Sequence, residues 1–267
     1  QPKAEEKNLS EQWPVVASYQ WAGQDSVVVC DLSLLKDTVD LPFSFFLKDF
    51  QIIKLDNRDE AMVGENNLCV SENYILVYGS VYELHPCRLF TKKGEFVTNI
   101  GAIGQGPGEY RAVYKAEIDE KHNCIYLMPF DNSNAIYVYD LAGKPLRSIP
   151  LHQSVSKAVF KVDADKRELT VGALPFTGYP FVAWVQDFEG HLLDSVPAAR
   201  HLSVLPDYSN EVMYGANTEV FDLYISTFFE LRPDTLYHYI RSESRLKPRF
   251  TLNIGAVSYT HLRAHET

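Results

Sequence analysis

The amino-acid sequence predicts an all-β fold, a β-propeller of four-stranded antiparallel blades, and three observations carry that expectation. Strand-forming side chains are abundant, with 16 Tyr and 15 Phe among 267 residues, and bulky aromatic and β-branched side chains pack well on a pleated surface. One hairpin recurs three times without a gap. The repeating unit holds four short apolar segments at a period near fifty residues, as propeller blades do.

The hairpins are CRLFTKKGEFVTNI (87–100), IYVYDLAGKPLRSI (136–149) and AWVQDFEGHLLDSV (183–196). Their glycines, Gly94, Gly143 and Gly190, stand 49 and 47 residues apart. They occupy the turn position where a positive φ is expected, which glycine takes at little cost. Leu89, Val138 and Val185 precede the turn in register, and Val97, Leu146 and Leu193 follow it. Upstream of each hairpin the pattern predicts a strand, at 74–80, 124–130 and 168–174, and before it an inner strand, at 68–70, 116–118 and 160–162. A fourth unit is expected from Glu219 to Ile254, with strands at 220–226 and 236–240.

Basic residues number 25 and acidic residues 35, a net charge of −10. No run of Lys and Arg makes the basic face of a nucleic-acid binder, so no nucleic-acid partner is expected. No segment reaches the ~18 apolar residues of a membrane span, so membrane contact is expected only through a lipid anchor. Cys30, Cys69, Cys87 and Cys124 form no CxxC pair, and no His stands at zinc-ligand spacing from them. They are read as buried thiols, with one disulfide as the alternative.

Between the first two units stands IGAIGQGPGEYRAV (100–113). A phosphate loop needs Gly-Lys-Ser/Thr, whereas Gly108 is followed by Glu109, whose carboxylate repels phosphate. The structural reading is a tight connector made of Gly104, Gln105, Gly106, Pro107, Gly108, Glu109 and Tyr110, in which Gly106 or Gly108 takes a positive φ. The same stretch supplies three candidate ligand contacts, Glu109, Tyr110 and Arg111. Tyr179, in the segment FTGYPF (176–181), is the fourth.

With VVVCDLSLLKDTV (27–39) and FQIIKLDNRDEAMVG (50–64), the GQGPGEY connector resembles the six-bladed, TolB-like β-propeller lipoproteins of Bacteroidota, over roughly residues 27–255. The resemblance implies a ring of six blades, about four of them present here. It implies a strand at 50–55 that closes the ring on the last blade, and a periplasmic or surface-exposed lipoprotein of the cell envelope. The chain then divides into a polar leader and the start of the N-terminal segment (1–26), N-terminal strands including the ring-closing strand (27–61), blades one to four (62–256) and a tail (257–267). The tail, VSYTHLRAHET, fits the in-frame translation of a transposase-type sequencing adapter. It is expected to be foreign to the fold, so His261 and His265 are not read as metal ligands.

No G-x-S-x-G elbow occurs, and His85, His122, His152, His191, His201 and His238 are scattered, mostly near turns. No catalytic residue, metal ligand or cofactor is predicted. The expected function is a non-enzymatic binding or scaffold propeller whose partner is a small molecule, a glycan or a protein. The alternative is a metal-dependent propeller hydrolase or lyase with calcium in the axial channel, held by carboxylates and Asn from several blades. Asp131, Asn132, Asp163 and Asp187 are the side chains it would draw on. Asp140 and Asp187, however, sit in the repeated turn, where Asp caps backbone N–H groups.

Overall fold

The computed structural model describes residues 15–35, 40, 42–64, 67–79, 85–130, 132–176, 178–198, 211–215, 220–226 and 234–253. The expected tail, 257–267, lies outside them. The chain is an all-β propeller whose blades follow one another along the sequence. Strands β1 (Ala17–Ala22) and β2 (Asp25–Asp31) come first. Blade I is β3 (Asn67–Val70), β4 (Tyr74–Tyr78), β5 (Cys87–Thr91) and β6 (Phe96–Ile100). A short parallel pair follows, β7 (Ala102–Ile103) with β8 (Glu109–Tyr110). Blade II is β9 (Val113–Asp119), β10 (Cys124–Pro129), β11 (Ser133–Tyr139) and β12 (Ile149–Val155). Blade III is β13 (Ala158–Asp163), β14 (Glu168–Ala173), β15 (Phe181–Asp187) and β16 (Leu192–Pro197). Blade IV is β17 (Glu211–Tyr214), β18 (Asp222–Ser226), β19 (Asp234–Ile240) and β20 (Arg245–Asn253). Within each blade the four strands pair antiparallel in chain order.

The repeated hairpin glycines take φ of +88°, +82° and +90° at Gly94, Gly143 and Gly190. Blade IV has no glycine there. Ser244, at φ +48°, holds the left-handed position between β19 and β20, which is why its hairpin does not align with the other three in the sequence.

Each pair of neighbouring blades encloses one apolar layer. Leu76, Leu89 and Ile100 of blade I pack with Ala116, Ile125 and Leu127 of blade II. Tyr126, Met128 and Ile136 of blade II meet Phe160, Leu169 and Trp184 of blade III. Val159, Val182 and Val185 of blade III meet Val212, Leu223 and Leu246 of blade IV. Polar bridges join the β-turns of successive blades. Asn73 donates to Glu120 through its backbone N and its Nδ2, both at 2.8 Å, Lys121 pairs with Asp165 at 2.6 Å, and Arg241 pairs with Glu168 at 2.6 Å. Such surface pairs contribute about 0–1 kcal/mol each, so the apolar layers hold the blades together.

The strand expected at 50–55 is not formed. The strand added to the last blade is β2, which lies parallel to β20 in the register Val28 to Phe250 and Cys30 to Leu252. Buried Asp25 anchors it, bonded to Arg245 and Lys247 at the start of β20. Residues 50–63 instead cover part of the free face of blade I, where Ile53, Leu55 and Val63 pack on Ile75, Val77 and Phe90. There Asp56 N donates to Gly94 O at 2.8 Å and Arg88 Nε to Glu60 O at 2.9 Å. A Cβ on Gly94 would meet the Lys54 carbonyl oxygen, as one on Gly143 would meet that of Asn99. Segment 50–55 therefore sits against blade I as β6 sits against blade II. Among the described residues it pairs with no strand, and β2 is the strand that lies on the edge of β20.

Candidate functional site

The inner strands β3, β9, β13 and β17 are the first of their blades, and polar side chains on β9, just before β13 and on β17 meet where blades II, III and IV converge. Tyr114, on β9, donates its hydroxyl to Glu211 Oε2 of β17 at 2.5 Å and accepts from Val212 N at 3.3 Å. Lys157, just before β13, is 5% exposed. It pairs with the other oxygen of Glu211, and its ammonium lies 5.7 Å from the centroid of the Tyr114 ring. Three blades thus contribute to one bonded cluster.

One position further along β9, the Lys115 ammonium lies 5.0 Å from the centroid of the Tyr214 ring. That ring is itself stacked on Phe221, centroids 5.4 Å apart. Burial, reinforced by Glu211, pushes the Tyr114 hydroxyl well above its ordinary range, and burial reinforced by Glu117 does the same for Tyr214. Both phenols stay protonated, and that of Tyr114 donates to Glu211.

Glu117, also on β9, accepts from Val162 N at 3.2 Å. Burial pushes its carboxyl up to about 7, with Asp119 adding to the effect and Lys161 and Lys115 opposing it. A carboxyl raised in the folded state binds its proton more tightly there than in the unfolded chain. Its contribution to stability is therefore present at low pH and is lost as pH rises from the unfolded value toward 7. Glu117→Gln, which mimics the protonated form, is expected to raise the melting temperature at about pH 8 and to change it little at about pH 5. Equal shifts at both pH values would contradict this account.

The residues singled out in the sequence fall elsewhere. In the connector, Glu109 turns back on its own loop, its Oε2 accepting from Gly106 N at 2.8 Å, while Gly104 N donates to Tyr110 O at 3.0 Å. Gly108 has φ +75°, and the left-handed position lies there rather than at Gly106. Tyr110 is buried. Its hydroxyl accepts from Cys87 N at 2.7 Å and donates to Ile100 O, tying the loop to blade I, while Tyr139 donates to Gly108 O at 3.2 Å from blade II. A groove of about 370 Å³ runs beside Gly106, Pro107 and Gly108, facing Tyr137, Tyr139 and Pro145. Arg111 is exposed. Of the four candidates only Tyr179 lies near the axial cluster, its hydroxyl accepting from Ser156 N, next to Lys157, at 2.9 Å.

The carboxylates considered for a metal do not converge. Asp163 bonds Lys166, Asp187 caps its hairpin and bonds His191, Asn132 bonds Ser154, and Asp131 lies outside the described residues. No three His, Cys, Asp or Glu side chains come together as a metal site among the described residues. All four cysteines are free thiols, and burial pushes that of Cys87 up to about 12.

Tyr114, Lys115, Lys157 and Glu211 were not singled out in the sequence. Tyr114 and Glu211 stand 97 residues apart, and nothing local marks them. The one available signal was their place at the inner strand of consecutive repeats.

A crystal structure of a Bacteroides fragilis protein, named as a putative exported protein, has a similar fold, with a TM-score of 0.53 at 19% identity. The match covers 81% of this chain, which spans 59% of the length of that one. Two weaker likenesses are to the WD40 β-propeller domain of Doa1 (TM-score 0.42, 12% identity, 67% of this chain and 51% of that) and to an auxiliary nutrient binding protein of Bacteroides thetaiotaomicron (TM-score 0.43, 16% identity, 68% and 40%). No curated protein matches the sequence. The family described as Domain of unknown function (DUF4934) matches residues 27–267, and the chain belongs to it.

Proposed function

We propose that this chain is a non-enzymatic binding propeller of the bacterial cell envelope that takes its ligand at the axial rim between blades II, III and IV. The observation that carries the reading is the meeting of Tyr114, Lys157 and Glu211 from three blades in one bonded, partly buried cluster. Polar groups there are held by rigid strands, which suits a preformed site. The B. fragilis protein of similar fold is named as exported, in keeping with an envelope location and a lipid anchor. A thermal-shift screen of glycans, peptides and small metabolites tests the reading. At least one ligand is expected to stabilise the protein, and Tyr114→Phe should weaken its binding. A ligand whose binding ignores Tyr114 and Glu211 but responds to changes at the Gly106–Gly108 groove would overturn it.

The same reading includes a ring of six blades. Leu68 and Val70 of blade I and Met213 and Val220 of blade IV are exposed, although the matching layers between inner blades are closed. Further blades on those two faces would bury them. A structure of the full-length protein in which β3 packs directly on β17 would overturn the six-blade ring.

A further inference from the structure

Lys115 is the unusual group on the rim. It is half-buried on an inner strand, with its ammonium over the Tyr214 ring. No carboxylate lies within ion-pair distance of it among the described residues, although its charge reaches Glu117. The nearby carboxylates are otherwise engaged. Glu211 is bonded to Lys157 and Tyr114, and Glu117 accepts from Val162 N and holds its proton up to about neutral pH. A lysine ammonium offers three donors and accepts nothing. Removing it from water is unfavourable unless an anion compensates, and a ring face offsets only part of that cost.

Resting on the binding reading above, we infer that Lys115, seated over Tyr214, is the anion subsite of the rim, and that the ligand is a small organic carboxylate. The chemistry favours a carboxylate over a phosphate. Phosphate sites commonly gather several donors in a glycine-rich nest of backbone N–H groups or at a helix N-terminus, whereas the donor here is one ammonium over a ring face. Tyr214 is held in place by Phe221, so the ring beneath the Lys115 ammonium is preorganised.

The test is calorimetric titration of the full chain with glucuronate, galacturonate, citrate and succinate, alongside glucose and inorganic phosphate. At least one carboxylate is expected to bind with unit stoichiometry, more tightly than glucose or phosphate. Lys115→Met should weaken it about tenfold or more, as expected for a lost charge-assisted hydrogen bond. Lys115→Arg, which keeps the charge, should retain most of the affinity. Melting curves of both variants show whether the fold is intact. Glucose binding as well as glucuronate, with Lys115→Met silent and Tyr114→Phe harmful, would overturn the carboxylate while leaving the rim as the site. Binding of no carboxylate, or carboxylate binding indifferent to Lys115, would also overturn the inference. Phosphate binding preferentially would assign the subsite to a different anion and likewise overturn it.

Discussion

Gly143→Val is expected to lower the melting temperature by roughly 8–16 °C, the shift of a ~4 kcal/mol loss in a chain of this size. Two separate effects add. Gly143 has φ +82°, and a β-branched residue held in the left-handed region costs about 1–3 kcal/mol. Its Cβ would also lie 2.2 Å from the Asn99 carbonyl oxygen at the end of β6. That neighbour is backbone in the adjacent blade, so the hairpin or the blade must move, and overpacking of this kind costs about 1–3 kcal/mol more. The turn has no slack to offer. Asp140 Oδ1 accepts from Ala142 N and Lys144 N at 3.0 and 2.8 Å, and Gly143 N donates to Asp140 O at 2.9 Å. Gly23 is the control, because its φ is +67° and a Cβ added there would meet nothing within 4 Å. Gly23→Ala should cost only the conformational part, about 1–2 kcal/mol. If Gly143→Ala melts no lower than Gly23→Ala, the hairpin does not seat on the neighbouring blade.

That docking explains how much could be read from the sequence. Gly94, Gly143 and Gly190 announced themselves because turn geometry demands glycine at one repeating position, and at Gly94 and Gly143 close backbone contact demands it as well. The fourth hairpin stayed hidden because Ser244 tolerates the same conformation without a glycine. Segment 50–55 has the alternation of a strand, with Ile53 and Leu55 turned inward and Phe50 and Ile52 outward. Alternation reports which face is buried, whereas a strand also needs an edge to pair with, and among the described residues segment 50–55 meets none. The connector was legible because its bonds are local, as between Glu109 and Gly106. The rim was not, because Tyr114, Lys157 and Glu211 meet only once three blades have packed, and a lone Tyr or Lys on a strand carries no signature.

Trp184→Ala is expected to destabilise the chain by about 3–5 kcal/mol, the range for deleting a large buried aromatic side chain. Trp184 lies on β15 and is fully buried in the layer between blades II and III, with Tyr126, Met128 and Ile136 across from it. Its loss opens a cavity where rigid strands on both sides limit collapse. It also removes a polar tie. Trp184 Nε1 donates to Gln186 Oε1 at 2.9 Å, and the same oxygen accepts from His152 N at 2.8 Å, while Gln186 Nε2 donates to Pro150 O at 2.8 Å. Pro150 and His152 belong to β12, the outer strand of blade II, so Gln186 pins one blade to the next and Trp184 holds Gln186 in orientation. At the hairpin position of Gln186, blade II carries Tyr139, which likewise reaches back to the preceding connector through Gly108. Trp184→Phe separates the two contributions. It keeps most of the volume and loses the donor, and should cost about 1 kcal/mol from the hydrogen bond plus a smaller packing loss. Urea titration of both variants gives the ratio. A Trp184→Ala protein as stable as the wild type would mean that blades II and III do not pack through this residue, and an equal loss in both variants would assign the effect to the Gln186 bond rather than to the buried ring.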